Sequence, residues 1–294
     1  MLLLWLSTIV GLVAARLFRE RRVGWRRLLL GTSLLVNLGM LGLFKYGGFL
    51  LPECSRLLLL LDIRYQPPEM GWVLPVGSSF YRFQTLSYTL DVYLRRTDPE
   101  RSFIDFALFV TFFSQLVAGP IVRPSQLLPQ FKQSVWATRQ QCTWGLLLLT
   151  MGLFEKVVLA DSILSPIADK VFSSSRPVAC LDGWMATLVF SGQIFFDFAG
   201  YSLYAIGVAM MLGFSLPDNF RSPYAAVGFS DFWQRWHISL SAWLRDYLYI
   251  PLGGNRRGPR RTYVNFMLAM LLGGLWHGAD RRFLVGAVST ASTS

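Results

Sequence analysis

Trp184-Met-Ala-Thr-Leu-Val-Phe-Ser-Gly-Gln-Ile-Phe-Phe-Asp-Phe-Ala-Gly-Tyr-Ser-Leu-Tyr-Ala-Ile-Gly-Val-Ala-Met-Met-Leu-Gly-Phe214 is a continuous apolar run broken by one carboxylate, Asp197. Crossing the hydrocarbon core of a bilayer takes about 20 helical residues, so this run is too long for one untilted pass. Further apolar runs occupy roughly 1–15, 28–44, 72–94, 103–122, 143–160 and 262–279. They are continuous and do not alternate with polar residues, which excludes the pattern of a transmembrane barrel. The leucines at 57–61 are too few to span and read as an interfacial or connecting segment. The fold class expected is all-α: a polytopic helical membrane protein with re-entrant or interfacial helices around a histidine-lined core.

Composition points the same way. Only 15% of the 294 residues are charged, against about 25% in soluble domains. The net charge of +11 does not require nucleic acid, because the arginines cluster between apolar runs. Cytoplasmic loops and anionic headgroups account for that placement. Met1 to Ala15 is followed by Arg16, Arg19, Arg21 and Arg22. A signal peptide carries its positive charge before the apolar run, so this segment reads as an anchored span. Cys54, Cys142 and Cys180 are scattered without metal-ligand spacing and read as structural.

Orientation follows the arginines. Residues 16–27 and Arg95, Arg96 and Arg101 face the cytoplasm, and 45–71, with Glu53, Asp62 and Glu69, lies outside. Counting onward puts Arg256, Arg257, Arg260 and Arg261 outside if 184–214 crosses once, against the positive-inside rule. The conflict disappears if 184–214, or the Gly-Pro-containing end of 103–122, is re-entrant; such backbone is tolerated only inside protein or along a wet cavity. No internal repeat is visible, which disfavours inverted-repeat transporters. Val285–Ser294 reads as a frayed end.

Ionisable groups at membrane depth mark function by default, and imidazole is suited to moving protons near neutral pH. The chain has two histidines, His237 and His277. Read as one helix, 231–247 gathers Trp233, Trp236, Leu240, Trp243, Leu244 and Tyr247 on one arc, with Gln234, Arg235 and Arg245 elsewhere and His237 at the edge. A functional His237 and a snorkelling interfacial one fit equally. His277 follows Gly273 and Gly274; side chains lean over the preceding turn, so nothing there covers its ring. Substrate approach and close helix packing both fit, with function favoured. Gln193, Asp197, Tyr201 and Tyr204 share a helical face, where Asp197 either orients a histidine or lines a polar tunnel, or pairs with an arginine. The loop Pro251-Leu-Gly-Gly-Asn-Arg-Arg-Gly-Pro-Arg-Arg261 is either a phosphate attractor for an acyl donor or, more simply, a topology signal. Gly119-Pro-Ile-Val-Arg-Pro124 reads as a helix break and turn with Arg123 anchoring at the interface. No phosphate-loop, dinucleotide, nucleophile-elbow or zinc motif is present.

The chain resembles the membrane-bound O-acyltransferase family, in its bacterial alginate O-acetyltransferase branch. The matching stretches are Leu74-Pro-Val-Gly-Ser-Ser-Phe-Tyr-Arg-Phe-Gln-Thr-Leu-Ser-Tyr-Thr-Leu-Asp-Val-Tyr93, Gln115-Leu-Val-Ala-Gly-Pro-Ile-Val-Arg123, Phe196-Asp-Phe-Ala-Gly-Tyr-Ser202, Asp218-Asn-Phe-Arg-Ser-Pro-Tyr224, Asp231 through Gly258, and Leu272-Gly-Gly-Leu-Trp-His-Gly-Ala279. The resemblance implies acyl transfer to a hydroxyl, with His277 of Trp-His-Gly catalytic and His237 of Trp-His-Ile-Ser-Leu-Ser as the second active-site residue. A neutral imidazole takes the proton of an attacking hydroxyl, and the second ring polarises the carbonyl or stabilises the oxyanion; an acyl-histidine route stays open. Asp197, Arg235, Trp236, Ser239 and Asn255 form the expected substrate-binding set. No bound cofactor or metal is implied; the donor expected is acetyl-CoA. The implied partners are an exported polysaccharide acceptor, periplasmic or membrane polysaccharide-modification proteins and membrane lipid, with no nucleic acid. The implied location is the inner membrane, multi-pass. A sister branch transfers D-alanine to teichoic acids and shares both histidine motifs.

Three departures from the pattern stand out. Leu203 replaces the acidic residue usual after Gly-Tyr-Ser, the first span expected of the family is missing, and Asp280-Arg-Arg-Phe-Leu-Val-Gly-Ala-Val-Ser289 replaces an aromatic-rich span and later helices. The expectation is therefore an acyltransferase domain over 1–279, incomplete at both ends, with a divergent tail over 280–294. The alternatives are a truncated, catalytically dead homologue acting in membrane assembly or export, and a D-alanyl transferase.

Overall fold

The computed structural model describes residues 2–18, 23–60, 62–63, 65, 77–114, 119–174 and 177–277, with the side chains of 2, 45, 48–50, 52–53, 78–79 and 275–277 outside it. Every regular element among the described residues is helical. In chain order these are α1 (Leu2–Leu17), α2 (Val23–Leu41), a π-helical turn (Gly42–Tyr46), α3 (Gly47–Leu59), α4 (Ser78–Tyr93), α5 (Phe103–Thr111), α6 (Pro124–Phe131) and α7 (Arg139–Leu153). A π-helical stretch (Phe154–Leu164), α8 (Ser165–Phe172), α9 (Cys180–Met211), α10 (Phe229–Arg235), α11 (Ile238–Leu244), a π turn (Arg245–Tyr249) and α12 (Pro259–His277) follow. Among the described residues two segments, Val23–Phe44 and Cys180–Met211, are long and apolar enough to cross a membrane by length and composition.

The first bundle joins α1, α2 and α4, with α5 and α6 closing its side. Leu12, Ala15, Phe18, Tyr88, Phe106, Phe109 and Leu127 form its core. Among lipid-soluble helices apolar contact gives little driving force, so small and polar residues do much of the joining. Here Ser7 donates to Asn37, Ser33 donates to Thr89, and all four are buried. At Gly11 a Cβ would stand 2.5 Å from the Thr85 methyl, so α1 and α4 meet only because glycine is there.

The second unit is a hairpin of α7, its π continuation and α8 laid along α9. Its seam is bare backbone. A Cβ on Gly152 would stand 2.5 Å from the Gly200 carbonyl oxygen, and one on Gly207 2.6 Å from the Gly145 carbonyl oxygen. Ile206 and Ala209 at the far end of α9 then enter the first bundle's core, which couples the two units.

Two sequence expectations are corrected here. The 184–214 run does not turn back on itself: residues 184–211 lie within a single unbroken helix of 32 residues, about 48 Å long at 1.5 Å per residue. The break falls in 103–122 instead. Helix α5 stops at Thr111, and the chain at 119–123 runs without helix into Pro124, the first residue of α6. Proline lacks the N–H that a helix interior needs. The segment 231–247 is likewise not one helix, because α10 ends at Arg235, Trp236 is extended, and α11 starts after His237. Of the leucines at 57–61, Leu57 to Leu59 close α3 and Leu60 caps it, while Leu61 lies outside the described residues.

Candidate functional site

The break at His237 has an identifiable cause. A continuous helix would send the Ile238 N–H to the carbonyl of Gln234. Instead it donates to the Asn219 carbonyl at 2.9 Å, and the Arg221 N–H donates to the Arg235 carbonyl at 3.0 Å. Two short bridges thus tie 219–221 to 235–238. They hold His237 at φ 43° and ψ 54°, in the left-handed region. That conformation costs about 1–2 kcal/mol for a residue with a Cβ, and histidine is among the residues that tolerate it better. The turn drives the ring inward: His237 is 1% exposed, not at an interface edge.

The buried ring meets a polar knot built from four motif segments. Asn219 Oδ1 lies 3.1 Å from His237 Nδ1, 2.8 Å from Ser239 Oγ and 3.3 Å from the Ser239 backbone nitrogen. A backbone N–H can only donate, so the Asn219 atom facing it is the oxygen. Asn219 Nδ2 in turn donates to Ser202 Oγ at 3.2 Å. The same oxygen must then accept from His237, which places the proton on Nδ1 and leaves the Nε2 lone pair basic in the neutral ring. Ser239 Oγ, while donating to Asn219, accepts the Ile121 N–H at 2.9 Å. Pro120 keeps Ile121 out of a helix, and that frees this donor. Phe198 packs edge-on against the imidazole, with centroids 4.6 Å apart.

Arg123 secures the other end of α11. Its Nη2 donates to the Ala242 carbonyl at 3.3 Å and to Asp246, and its guanidinium lies over Tyr247 at 5.6 Å. The expected interfacial anchor is an internal clamp. Burial alone would raise the Asp246 carboxyl, but the hydrogen bonds and charges of Arg245 and Arg123 prevail and hold it below the ordinary carboxylate range. Ile121 and Arg123 therefore grip α11 at both ends, and Gly273 of α12 packs against Leu244 at its close, where a Cβ would come within 3.1 Å.

The remaining expected residues sort as follows. Trp236 stacks on Phe232 at 5.5 Å and meets Phe220 edge-on at 5.1 Å, so it walls the turn. Ser239 is inside the knot. Arg235 is bound to Asp231 at 2.7 Å, one turn earlier on the outer face of α10. Asp197 is 50% exposed and pairs with Lys156 of the π stretch; its neighbour Phe198, not Asp197, lies beside His237. Asn255, Arg256 and Arg257 are exposed in the turn before α12, and Arg260 and Arg261 are exposed in its first turn. The side chain of His277 lies outside the described residues, while its backbone closes α12. Two residues were given no role by the sequence reading. Asn219 organises the knot from inside a quoted motif. Arg82 is 1% exposed, sits over the Tyr81 ring at 5.5 Å and makes no guanidinium hydrogen bond among the described residues. The rule that singled out the histidines, an ionisable group in an apolar run, applies to Arg82 as well.

Comparison with known proteins bears on this geometry. The sequence model of the family described as MBOAT, membrane-bound O-acyltransferase family, matches residues 65–291. The probable alginate O-acetylase of Pseudomonas putida is 42% identical over 282 residues, covering 96% of this chain and 56% of that protein. The peptidoglycan O-acetyltransferase of Helicobacter pylori is 37% identical over 299 residues, covering 93% and 56%. The teichoic acid D-alanyltransferase of Bacillus subtilis is 28% identical over 193 residues, covering 60% and 47%. The chain spans about half the length of the curated relatives it matches.

Proposed function

The chain belongs to the membrane-bound O-acyltransferase family, and on that premise we propose that it transfers an acetyl group to hydroxyls of an exported, alginate-like cell-envelope polysaccharide. Similarity to an alginate O-acetylase at 42% identity over 96% of the chain, against 28% over 60% for a D-alanyltransferase, favours acetylation over D-alanylation. In this reading the protein sits in the inner membrane as a multi-pass protein and works with periplasmic or membrane polysaccharide-modification proteins.

The observation that carries the reading is the Asn219–His237 bond. A buried histidine held in a strained turn, with its tautomer set by a neutral amide, is preorganised for proton handling. His277 takes the proton of the acceptor hydroxyl, whose oxygen attacks the acetyl carbonyl carbon. The bond from that carbon to the donor's sulfur breaks, and the thiolate recovers the proton from the imidazolium. His237, with its Nε2 lone pair, orients the attacking hydroxyl. It serves as an oxyanion donor only when protonated, and Asn219 stabilises that cation less than a carboxylate would. Acetyl-CoA is consumed as donor, with no cofactor bound. The exposed Asn255 and arginines of 256–261 suit its phosphates, and Arg235 suits an acidic sugar. Trp236 and Ser239 fix the His237 turn. Asp197 acts through Lys156 of the π stretch that continues α7 along α9.

The test is acetyl transfer to polysaccharide in a strain lacking its own O-acetyltransferase, with expression and membrane insertion confirmed by blotting. The chain should acetylate, and His277→Ala and His237→Ala should each abolish it. Transfer that survives both substitutions, or none by the chain itself, overturns the proposal.

A further inference from the structure

At the end of the first bundle a cavity of about 300 Å³ opens between the close of α1, the start of α2 and the turn after α4. Phe18 and Val92 give it an apolar floor, and among the described residues Arg26, Arg95, Arg96 and one carboxylate, Asp98, line it; Arg96 also pairs with Asp91 behind the wall at 3.7 Å, which leaves Arg26 and Arg95 as the uncommitted cations. The volume is at the small end of ligand cavities. It suits a headgroup and is too small for a sugar chain.

Two details show that these arginines are positioned for something. Arg26 is fixed by a hydrogen bond to the Tyr93 carbonyl and lies over the Tyr93 ring at 5.2 Å. Its Nε is buried and makes no hydrogen bond among the described residues. Arg95 closes α4 at φ 58°, with the Arg96 N–H returning to the Asp91 carbonyl at 2.8 Å. Glycine takes this left-handed closing position without strain. An arginine there accepts strain and delivers its side chain to the cavity wall.

The location favours a lipid. Helix α2 opens the first of the two segments long enough to cross a membrane, so the cavity sits where that segment meets water. Both helices that end at it carry exposed apolar residues, Ile9, Val13 and Leu17 on α1 and Val23, Leu28 and Leu35 on α2. Arg16, Arg26, Arg27, Arg95, Arg96 and Arg101 all belong to this end, the one that the positive-inside rule assigns to the cytoplasm. Basic pockets between membrane helices on that side bind anionic headgroups, and the guanidinium fork matches phosphate oxygens.

We propose that this cavity binds the phosphodiester headgroup of an anionic phospholipid, at a site separate from the histidine turn. The test is binding of phosphatidylglycerol against phosphatidylcholine to the purified chain, read as lipid adducts by native mass spectrometry. Phosphatidylglycerol should be preferred. An Arg26→Gln, Arg95→Gln, Arg96→Gln triple variant should bind it more weakly, by roughly fivefold per arginine removed. An Arg56→Gln, Arg139→Gln, Arg221→Gln variant of equal charge should bind as the parent does. Arg95→Gly keeps the proposal testable if the triple variant misfolds: it relieves strain, so the protein should stay folded while adducts fall. Equal losses in both triple variants reduce the effect to bulk charge and overturn the site. So does an absence of lipid preference. Displacement of the lipid by millimolar inorganic phosphate would assign the cavity to the free anion and overturn the lipid as occupant.

Discussion

The glycine seam between α7 and α9 and the Asn219 knot around His237 join distant segments by opposite means. The seam has nothing between its helices: Gly145 and Gly152 face Gly207 and Gly200 with carbonyls against the opposing backbone. The knot is a set of directed hydrogen bonds among Asn219, Ser202, His237, Ser239 and Ile121. Where apolar burial adds little, close backbone contact supplies cohesion and polar bonds supply direction. The seam is therefore rigid and chemically silent, and the knot fixes one nitrogen's protonation. Substitutions that separate these roles should differ in kind, with stability lost at the seam and turnover lost at the knot.

The largest effect is expected at the seam. In Gly152→Val the Cβ would stand 2.5 Å from the Gly200 oxygen and 2.5 Å from the Tyr204 nitrogen, both backbone atoms. Neither can swing aside, so the helices must part. The cost should exceed the ~1–3 kcal/mol usual for overpacked cores, and the variant should lose its monodisperse peak and thermal transition in detergent. A folded Gly152→Val protein would show that the seam is looser than described.

Next comes Asn219→Ala. It strips partners from His237 Nδ1 and from the Ser239 N–H and hydroxyl. A buried donor left without a partner costs about 1–3 kcal/mol. With the tautomer no longer fixed, acyl transfer should fall by roughly 100-fold, the low end of the range for a positioned acid or base. Asn219→Asp sharpens the comparison. A carboxylate still accepts from Nδ1 and favours the imidazolium, so residual activity should shift its acidic pH limb upward. A stability loss without a change in turnover or pH profile would reduce the knot to scaffolding.

How much of this was legible in the sequence divides along the same line. Continuous apolar runs gave α1, α2, α4, α7, α9 and α12, because length and hydrophobicity are local properties. Gly119-Pro120 correctly marked a break. The segment 231–247 misled because its tryptophans and leucines keep helical spacing through the turn. What interrupts the helix is the Asn219 carbonyl taking the Ile238 N–H, a contact made across the fold. Re-entrance of 184–214, or of the end of 103–122, would reconcile the arginine count with the positive-inside rule, but a partner helix along the flank of α9 lets one helix continue. Asn219 carried no signal of its own, since Pro217-Asp218-Asn219 reads equally as a turn. The glycine seam left a seven-residue spacing in both helices, 145 to 152 and 200 to 207, visible only once the two are known to be partners.

Acid should weaken the grip on α11. The Asp246 carboxyl lies below its ordinary value in the folded protein, so the unfolded chain binds its proton first as pH falls. The stabilisation is present above the unfolded value of about 3.9 and is lost as pH drops through the lower folded value. Glu100 adds to the same window. Burial opposes its ionisation, but Lys132 at 2.7 Å and the N–H groups of Ser102 and Arg101 keep its carboxyl low. Thermal stability should therefore decline below about pH 4, and Asp246→Asn should flatten part of that decline while lowering stability at neutral pH. An unchanged slope would place the acid sensitivity elsewhere.

The smallest structural effect belongs to Arg235, and that makes it the most informative residue beside the turn. Its ion pair with Asp231 is a solvent-screened bond one helical turn long, and such pairs add little to stability. Arg235→Gln should leave the thermal transition nearly where it was, because neither the seam nor the knot depends on this side chain. If Arg235 contacts an acidic acceptor sugar, the substitution removes binding shared by ground and transition states, so KM for the polymer rises several-fold while kcat holds. If instead kcat falls with KM unchanged, Arg235 acts on the His237 turn through the Arg221–Arg235 bridge, and the boundary between the knot and the substrate surface moves one residue outward.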